Sequence, residues 1–337
     1  MNMSTTFHML KNEFNRVCKN QDVIYDGVYL FTNQRGLQKT ALMMPPAQPA
    51  SWISQYGSLT ISQIGKENPN GGMNEAGLVV EQTTLWQTKY PAVDERPALG
   101  ELHFIQYLLD TCATVQEALV AATTVRIDQS TSSLHYLLAD RRGNQAILEF
   151  LDGRLVVYKG KLSMPIIANT VYEEAVQEIQ RVDFKGWEDR DAYEQNSLDR
   201  YKIAYEALST LAEQTPDTDF AFKVLAAARR EDTVYSLVYD LNQLQIEVMT
   251  QRNQERIKIR LEDFDFSVKG PAQAANLQKL RANHERAQFE NYSADFNHKA
   301  VQSFFRDPVL TSVFRWEISD DMIQFVANYP DSFIRTE

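Results

Sequence analysis

The residues able to do chemistry are few in this chain, and the first of them stands almost at its start. Ser4 opens a polar, β-leaning run, Ser4-Thr5-Thr6-Phe7, behind only Met1-Asn2-Met3. One answer to a strand begun so early is that the N-terminus itself is the active site. Three more stretches are odd for pure scaffolding. "CKNQD" (18–22) sets Lys19 and Asp22 three apart in a non-periodic polar segment. "MPIIANT" (164–170) is an apolar run that stops abruptly on Asn169. "NSLDRYK" (196–202) brings in Arg200 near a helix start. Each also has a plain structural reading: a turn at 18–22, a helix N-cap at Asn169, a surface ion pair at Arg200.

Other chemistries lack their signatures. There is no G-x-G-x-x-G, no phosphate-binding P-loop and no G-x-S-x-G. "NPNGGMNEAGL" (68–78) carries glycines but runs into a strand. It reads as a tight turn between strands at 56–64 and 76–85, with no helix N-terminus to offer a phosphate. The histidines at 8, 103, 135, 284 and 298 form no H-x-x-x-H or H-E-x-x-H pattern, so neither a metal nor another cofactor is expected. Cys18 and Cys112 are not in C-x-x-C spacing and read as buried thiols in a reducing compartment. The formal net charge of −11 makes the chain a poor partner for nucleic acid or an anionic membrane. Asn12, Glu13, Asn15 and Arg16 fall where a signal core would be apolar, so a cytoplasmic location is expected.

The elements that must position these residues come as strands, then helices, then both again. "GVYLFTN" (27–33), "YGSLTISQI" (56–64), "AGLVVEQTTL" (76–85), "SLHYLLAD" (133–140), "NQAILEFLDG" (144–153) and "RLVVYKG" (154–160) are β-branched and aromatic, bounded by Gly, Asn and Asp. The last three predict an antiparallel meander turning on "DRRGN" and "LDGR". "ALGELHFIQYLLDTC" (98–112) stripes Leu102, Ile105, Leu108 and Leu109 along one helix face, and Thr114 with Glu117 forms a capping box for the next helix. Helices follow at "YEEAVQEIQRV", 197–214 and 218–230, strands at 233–241, 243–251 and 255–261, and a mostly helical tail from about 273. Without βαβ alternation, an α+β architecture of two antiparallel sheets with helices outside fits best. No linker divides the chain, so residues 1–337 are expected to form one domain.

From Ser4 to about Phe266 the chain resembles the choloylglycine hydrolase family, the penicillin V acylase, bile salt hydrolase and linear-amide hydrolase group of N-terminal-nucleophile hydrolases. The resemblance lies in "WISQYGSLT" (52–60), "GGMNEAGLVVE" (71–81), "RPAL" (96–99), "LHYLLAD" (134–140), "LEFLDG" (148–153), "IIANT" (166–170), "SLDRY" (197–201) and "DTVYSLVYDL" (232–241), in the family's order and with similar gaps. It implies a four-layer αββα sandwich. It also implies hydrolysis of an N-acyl amide by a catalytic first residue whose own α-amine is the base. By position, Ser4 stands at the family's nucleophilic Cys and Lys19 at an Arg that supports the nucleophile. Asp22 stands at the amine-orienting Asp, Asn169 at the oxyanion Asn and Arg200 at the distal Arg. Thr84 lies near a position that elsewhere carries a polar or aromatic oxyanion-side residue. The partner expected is a small N-acyl amide with an apolar acyl group, and family members are often tetramers. Trp187, in the long segment 183–196, marks a candidate subunit contact.

Three departures open a second reading. Serine is a weaker nucleophile than cysteine. Lys19 lacks the planar fork of arginine. Met1-Asn2-Met3 leave Ser4 with a peptide nitrogen in place of an amine. The competing reading is therefore a member, natural or made by a Cys-to-Ser change, that binds an acyl amide without turnover.

Overall fold

The first two strands form a hairpin because an asparagine sits where the chain must reverse. β1 (Met3–Lys11) pairs antiparallel with β2 (Phe14–Asp22) across Asn12-Glu13. Asn12 holds φ of 52°, a left-handed conformation that asparagine tolerates better than most residues. In the computed structural model, residues 3–336 are described apart from 129–130, 163, 182–185, 188, 214 and 284, with Ala212 described by its backbone alone. Met1, Asn2, His284 and part of the 183–196 segment thus lie outside the described residues.

The hairpin is interior to a six-stranded antiparallel sheet. Ile166–Ile167 lies beside β1, and Thr233–Asp240, Gln245–Thr250 and Ile257–Arg260 follow β2 in that order. The second sheet has nine antiparallel strands. Its order is Arg154–Lys159, Gln145–Leu151, Leu134–Ala139, Val79–Thr84, Gly71–Asn74, Ser58–Ser62, β3 (Tyr29–Asn33), Gln273–Asn276 and Glu290–Asn291.

Three apolar clusters bind the layers. Between the sheets, Val17, Leu237 and Tyr239 meet Leu30, Leu59, Met73, Leu137 and Ile147. Outside the nine-stranded sheet, Val80, Tyr136, Leu138 and Phe150 pack on α1 (Glu101–Thr111) and α2 (Val115–Thr124). Outside the six-stranded sheet, Phe7, Met9, Cys18 and Val238 pack beside α3 (Tyr172–Gln180), and under α4 (Ala192–Ser209) and α5 (Thr218–Ala227). The alternation of a strand sends neighbouring residues to opposite faces, so each sheet serves two clusters. The result is the αββα sandwich expected. The Thr114–Glu117 capping box starts α2 as predicted.

Several local expectations are corrected. The 18–22 stretch is no turn; it is the end of β2, buried throughout. Gly71–Asn74 is a strand and not part of a tight turn. A Cβ on Gly71 would fall 2.1 Å from Oε1 of Glu81, so glycine lets that carboxylate lie against the backbone. α4 begins five residues earlier than 197, at Ala192, capped by the Asp191 side chain. The region from 273 opens with a strand paired to β3 before α6 (Ala294–Phe305), α7 (Pro308–Phe314) and α8 (Asp320–Asn328). Trp187 is only 7% exposed; it packs with Phe7 and Leu198 and donates Nε1 to Asp199 Oδ1 at 2.8 Å. Its size is used in the core and not on a surface.

Candidate active site

Four of the six residues singled out by sequence converge, from four elements. Ser4 lies on β1 opposite Gln21, and Met3 opposite Asp22. Asn169 follows the short strand Ile166–Ile167 that edges β1. Arg200 reaches down from α4. All four are buried, with Arg200 3% exposed and Ser4 2%.

Arg200 is the hub. Its Nη1 donates to the Ser4 carbonyl and to Thr5 Oγ1, each at 2.5 Å, and its Nη2 donates to Asn169 Oδ1 at 2.7 Å. The same Asn169 oxygen accepts the Ser4 backbone N–H at 3.2 Å. Asn169 is thereby fixed as acceptor on one side, while its Nδ2 donates to the Thr84 carbonyl at 2.8 Å. It does not cap α3, whose N-cap is Val171. Thr84 thus touches the site through its backbone. The Ser4 hydroxyl lies 2.5 Å from the Met3 carbonyl and 3.3 Å from Gln21 Oε1, and its single hydrogen serves one of them at a time.

Asp22 stands 3.9 Å from Arg200 Nη1, and its Oδ1 accepts the Thr233 hydroxyl at 2.6 Å. Its Oδ2 is buried without a hydrogen-bond partner. Burial lifts the Asp22 carboxyl to about 6, against the pull of Arg200 and Thr233. Burial likewise brings the Arg200 guanidinium down to about 10, with Asp22 opposing.

Lys19 does not join them. Strand alternation turns it to the inner face of the sheet, where Nζ meets Glu81 Oε2 at 2.7 Å and the Gln82 carbonyl at 2.5 Å. Both side chains of the pair are fully buried, and Tyr239 donates to Glu81 Oε1 at 2.6 Å. Desolvation lowers the Lys19 amine and raises the Glu81 carboxyl, each only partly offset by the other's charge. Lys19 therefore ties the two sheets together beneath the site. Cys18 points the other way into the apolar cluster, where burial pushes its thiol far above the ordinary range.

Sequence reasoning missed the groups that hold these residues in place. Asn196 accepts Arg200 Nε at 2.9 Å; the i,i+4 spacing on a helix was the available signal. Gln21 extends to Gln63, 3.4 Å away, whose amide donates to the Tyr25 carbonyl at 2.7 Å. Below Asn169, His135 bridges Thr83 and Glu149: its Nε2 sits against the Thr83 hydroxyl and its Nδ1 is 2.9 Å from Glu149 Oε1. Thr83 donates to the Ala168 carbonyl, which anchors the peptide before Asn169. No sequence pattern marks that trio. Among the described residues no cluster of three or more His, Cys, Asp or Glu has metal-holding geometry.

Known proteins share this architecture. The structure of penicillin V acylase from Agrobacterium tumefaciens matches with a TM-score of 0.70 at 20% identity, over 86% of this chain and 98% of that one. A mutant conjugated bile acid hydrolase from Clostridium perfringens matches with a TM-score of 0.65 at 13% identity, over 86% and 97%. These are likenesses of fold. In sequence, penicillin V acylase of Pectobacterium atrosepticum is 31% identical over 126 residues, 33% of this chain and 34% of the relative. The match thus spans about a third of that relative's length. The model of the acyl-coenzyme A:6-aminopenicillanic acid acyl-transferase family matches residues 20–255, far more than half of the chain. On this match the chain belongs to that family, and it shares the αββα fold of the penicillin V acylase and conjugated bile acid hydrolase structures.

Proposed function

We propose that this protein hydrolyses a linear amide C–N bond, releasing a carboxylic acid and an amine, with Ser4 as nucleophile. The observation that carries the reading is the meeting of Ser4, Asn169 and Asp22, from three elements, around the buried Arg200 guanidinium, with Asn169 also accepting the Ser4 backbone N–H. In the full chain that nitrogen is a peptide group and donates a hydrogen bond; it has no basic lone pair. The reaction therefore needs Met1-Asn2-Met3 removed. Met3 lies directly across from Asp22 in the strand register, so its loss opens the place opposite an unpartnered carboxylate oxygen. A Ser4 ammonium would meet its counter-charge there.

With that amine free, Ser4 Oγ attacks the amide carbon and its proton passes to the amine. The tetrahedral intermediate expels the leaving amine, which takes that proton, and an ester to Ser4 remains. Water then attacks the ester, losing its proton to the same amine, and the acid departs as Ser4 Oγ is reprotonated. Asn169 is the proposed oxyanion donor, Arg200 aligns the Ser4 carbonyl with Asn169, and Thr84 fixes the Asn169 amide. Lys19 is assigned a supporting role through the Glu81 pair. An apolar acyl group suits the family likeness.

A second reading is a binder without turnover, favoured by the peptide nitrogen at Ser4 and by Lys19's engagement away from the nucleophile. Intact mass of the protein purified from its native host separates the two. A Ser4 N-terminus is the expected result, and a mass that retains Met1 rules out the amine base in that material. Ser4→Cys, made as the first residue, should then raise hydrolysis across a panel of N-acyl amides sharply, since a thiol needs less activation. No turnover on the panel from folded protein overturns the hydrolase reading.

A further inference from the structure

We propose that Asn196, Arg230 and Thr233 are positioning residues of this same site, closing a ring of contacts that sets the spacing between Arg200 and Asp22. The inference rests on the hydrolase reading for its consequence and on geometry for its existence.

Arg200 and Asp22 approach to 3.9 Å, too far for a hydrogen bond. Something else must hold two buried charges at that distance. Starting from Asp22, Oδ1 accepts the Thr233 hydroxyl at 2.6 Å. The same Thr233 oxygen accepts the Arg230 backbone N–H at 2.9 Å. The Arg230 side chain then donates Nη1 to Asn196 Oδ1 at 2.7 Å, and that oxygen also accepts Arg200 Nε at 2.9 Å. The circuit returns through Arg200 Nη1 to Asp22. One asparagine oxygen thus receives two guanidinium groups, an arrangement that fixes both planes.

The ring has a functional direction. With Nε held by Asn196, the two remaining nitrogens of Arg200 face the Ser4 carbonyl, Thr5 and Asn169. Rotating that plane would release Asn169, and with it the Ser4 nitrogen. The ring also reaches solvent. Arg230 is about a quarter exposed and pairs with Asp232, Nε to Oδ1 at 2.8 Å. The charged groups that bear on Asp22 are Arg200 from α4, Arg230 and Asp232 from the segment after α5, and Lys19 on its own strand. Arg230 favours the ionised carboxylate and Asp232 disfavours it.

Opposite charges on one outer link give a test that structural damage cannot imitate. The Asp22 carboxyl is titrated by carbon-13 NMR in folded protein, its signal assigned through Asp22→Asn. Arg230→Gln and Thr233→Val should move the midpoint up from about 6, and Asp232→Asn should move it down. In the active, processed enzyme, Asn196→Ala should lower kcat about tenfold, the scale of one lost charged hydrogen bond, with little change in KM. Thr233→Ser should retain the parent titration. Midpoints that stay fixed, or that move the same way for Arg230→Gln and Asp232→Asn, overturn the ring. If Asp22→Asn and Arg200→Lys leave hydrolysis unchanged, the hydrolase reading fails instead, and the titration still decides the ring.

Discussion

A hydroxyl and a carboxylate stand at the centre of the proposed site, and both are buried. Ser4 is buried and its hydroxyl is turned to the Met3 carbonyl. Asp22 has one oxygen satisfied and one left bare. Its carboxyl titrates near 6, above the ordinary 3.8, so the folded protein holds that proton more tightly than the unfolded chain. The sign follows: this group's contribution is most favourable below pH 4 and is lost as pH rises toward 6, on the order of 3 kcal/mol in all. Asp22→Asn should therefore flatten the decline in unfolding free energy between pH 4 and pH 7, measured by urea denaturation. An unchanged slope would mean that Asp22 is not the buried acid described. The same substitution should abolish hydrolysis, the usual opposition between stability and a charged site. Ser4, Asp22, Asn169 and Arg200 sit in stretches that look odd for scaffolding, but it is the family resemblance, not any one local pattern, that gathers them into one site. Asn196 and Thr233 were not legible, since an asparagine in a helix and a threonine opening a strand fit their surroundings.

At the scale of elements, the strands that fooled the sequence reading are those that bury polar groups. β2 ends Cys-Lys-Asn-Gln-Asp, and every one of these residues is buried. Its partners lie on both faces: Asn20 donates to Leu225 of α5 at 2.8 Å, and Lys19 pairs across to the other sheet. Hydrophobic alternation cannot reveal a strand whose neighbours are hydrogen-bonding groups. Glycines hid the Gly71–Asn74 strand in the same way: Gly71 admits the Glu81 carboxylate, and Gly72 the Leu59 carbonyl and the Leu109 side chain. The meander of 134–159 and helices α1 and α2, packed by ordinary apolar stripes, were read close to their true bounds. The Lys19–Glu81 pair yields an element-scale prediction. Lys19→Met should cost about 3–5 kcal/mol in urea unfolding, because it strands a buried carboxylate. Adding Glu81→Gln should recover much of that loss, which a simple packing defect at Lys19 would not allow.

Across the whole molecule, the αββα order followed from the succession of strands and helices, but the role of the last forty residues did not. α6 packs on the loop before β3 and on the loop that follows the strand Ser58–Ser62. Asn297, fully buried, accepts the Lys66 N–H at 2.8 Å and donates to the Ala327 carbonyl of α8 at 2.7 Å. Tyr25 meets Phe304 edge to face at 5.3 Å and donates to Ser303 at 2.9 Å. The carbonyl of the same Tyr25 holds Gln63, two contacts from Ser4. Asn297→Ala should lower stability by about 2–4 kcal/mol, since it leaves a buried donor and a buried acceptor bare. Hydrogen exchange should rise at residues 63–67 and in α8 together; a rise in only one of them would mean that Asn297 does not join the two.

The position of β2 in its sheet has a consequence for the chain's synthesis. β2 is sandwiched between β1 and Thr233–Asp240, so its outer edge stays open until the chain has been made through Asp240. Ser4 waits on Asn169, and Asp22 waits on Thr233. Pairings of such long separation close slowly. Ser4 and Asp22 thus complete their surroundings only when segments 165 and 211 residues further along the chain have folded against them.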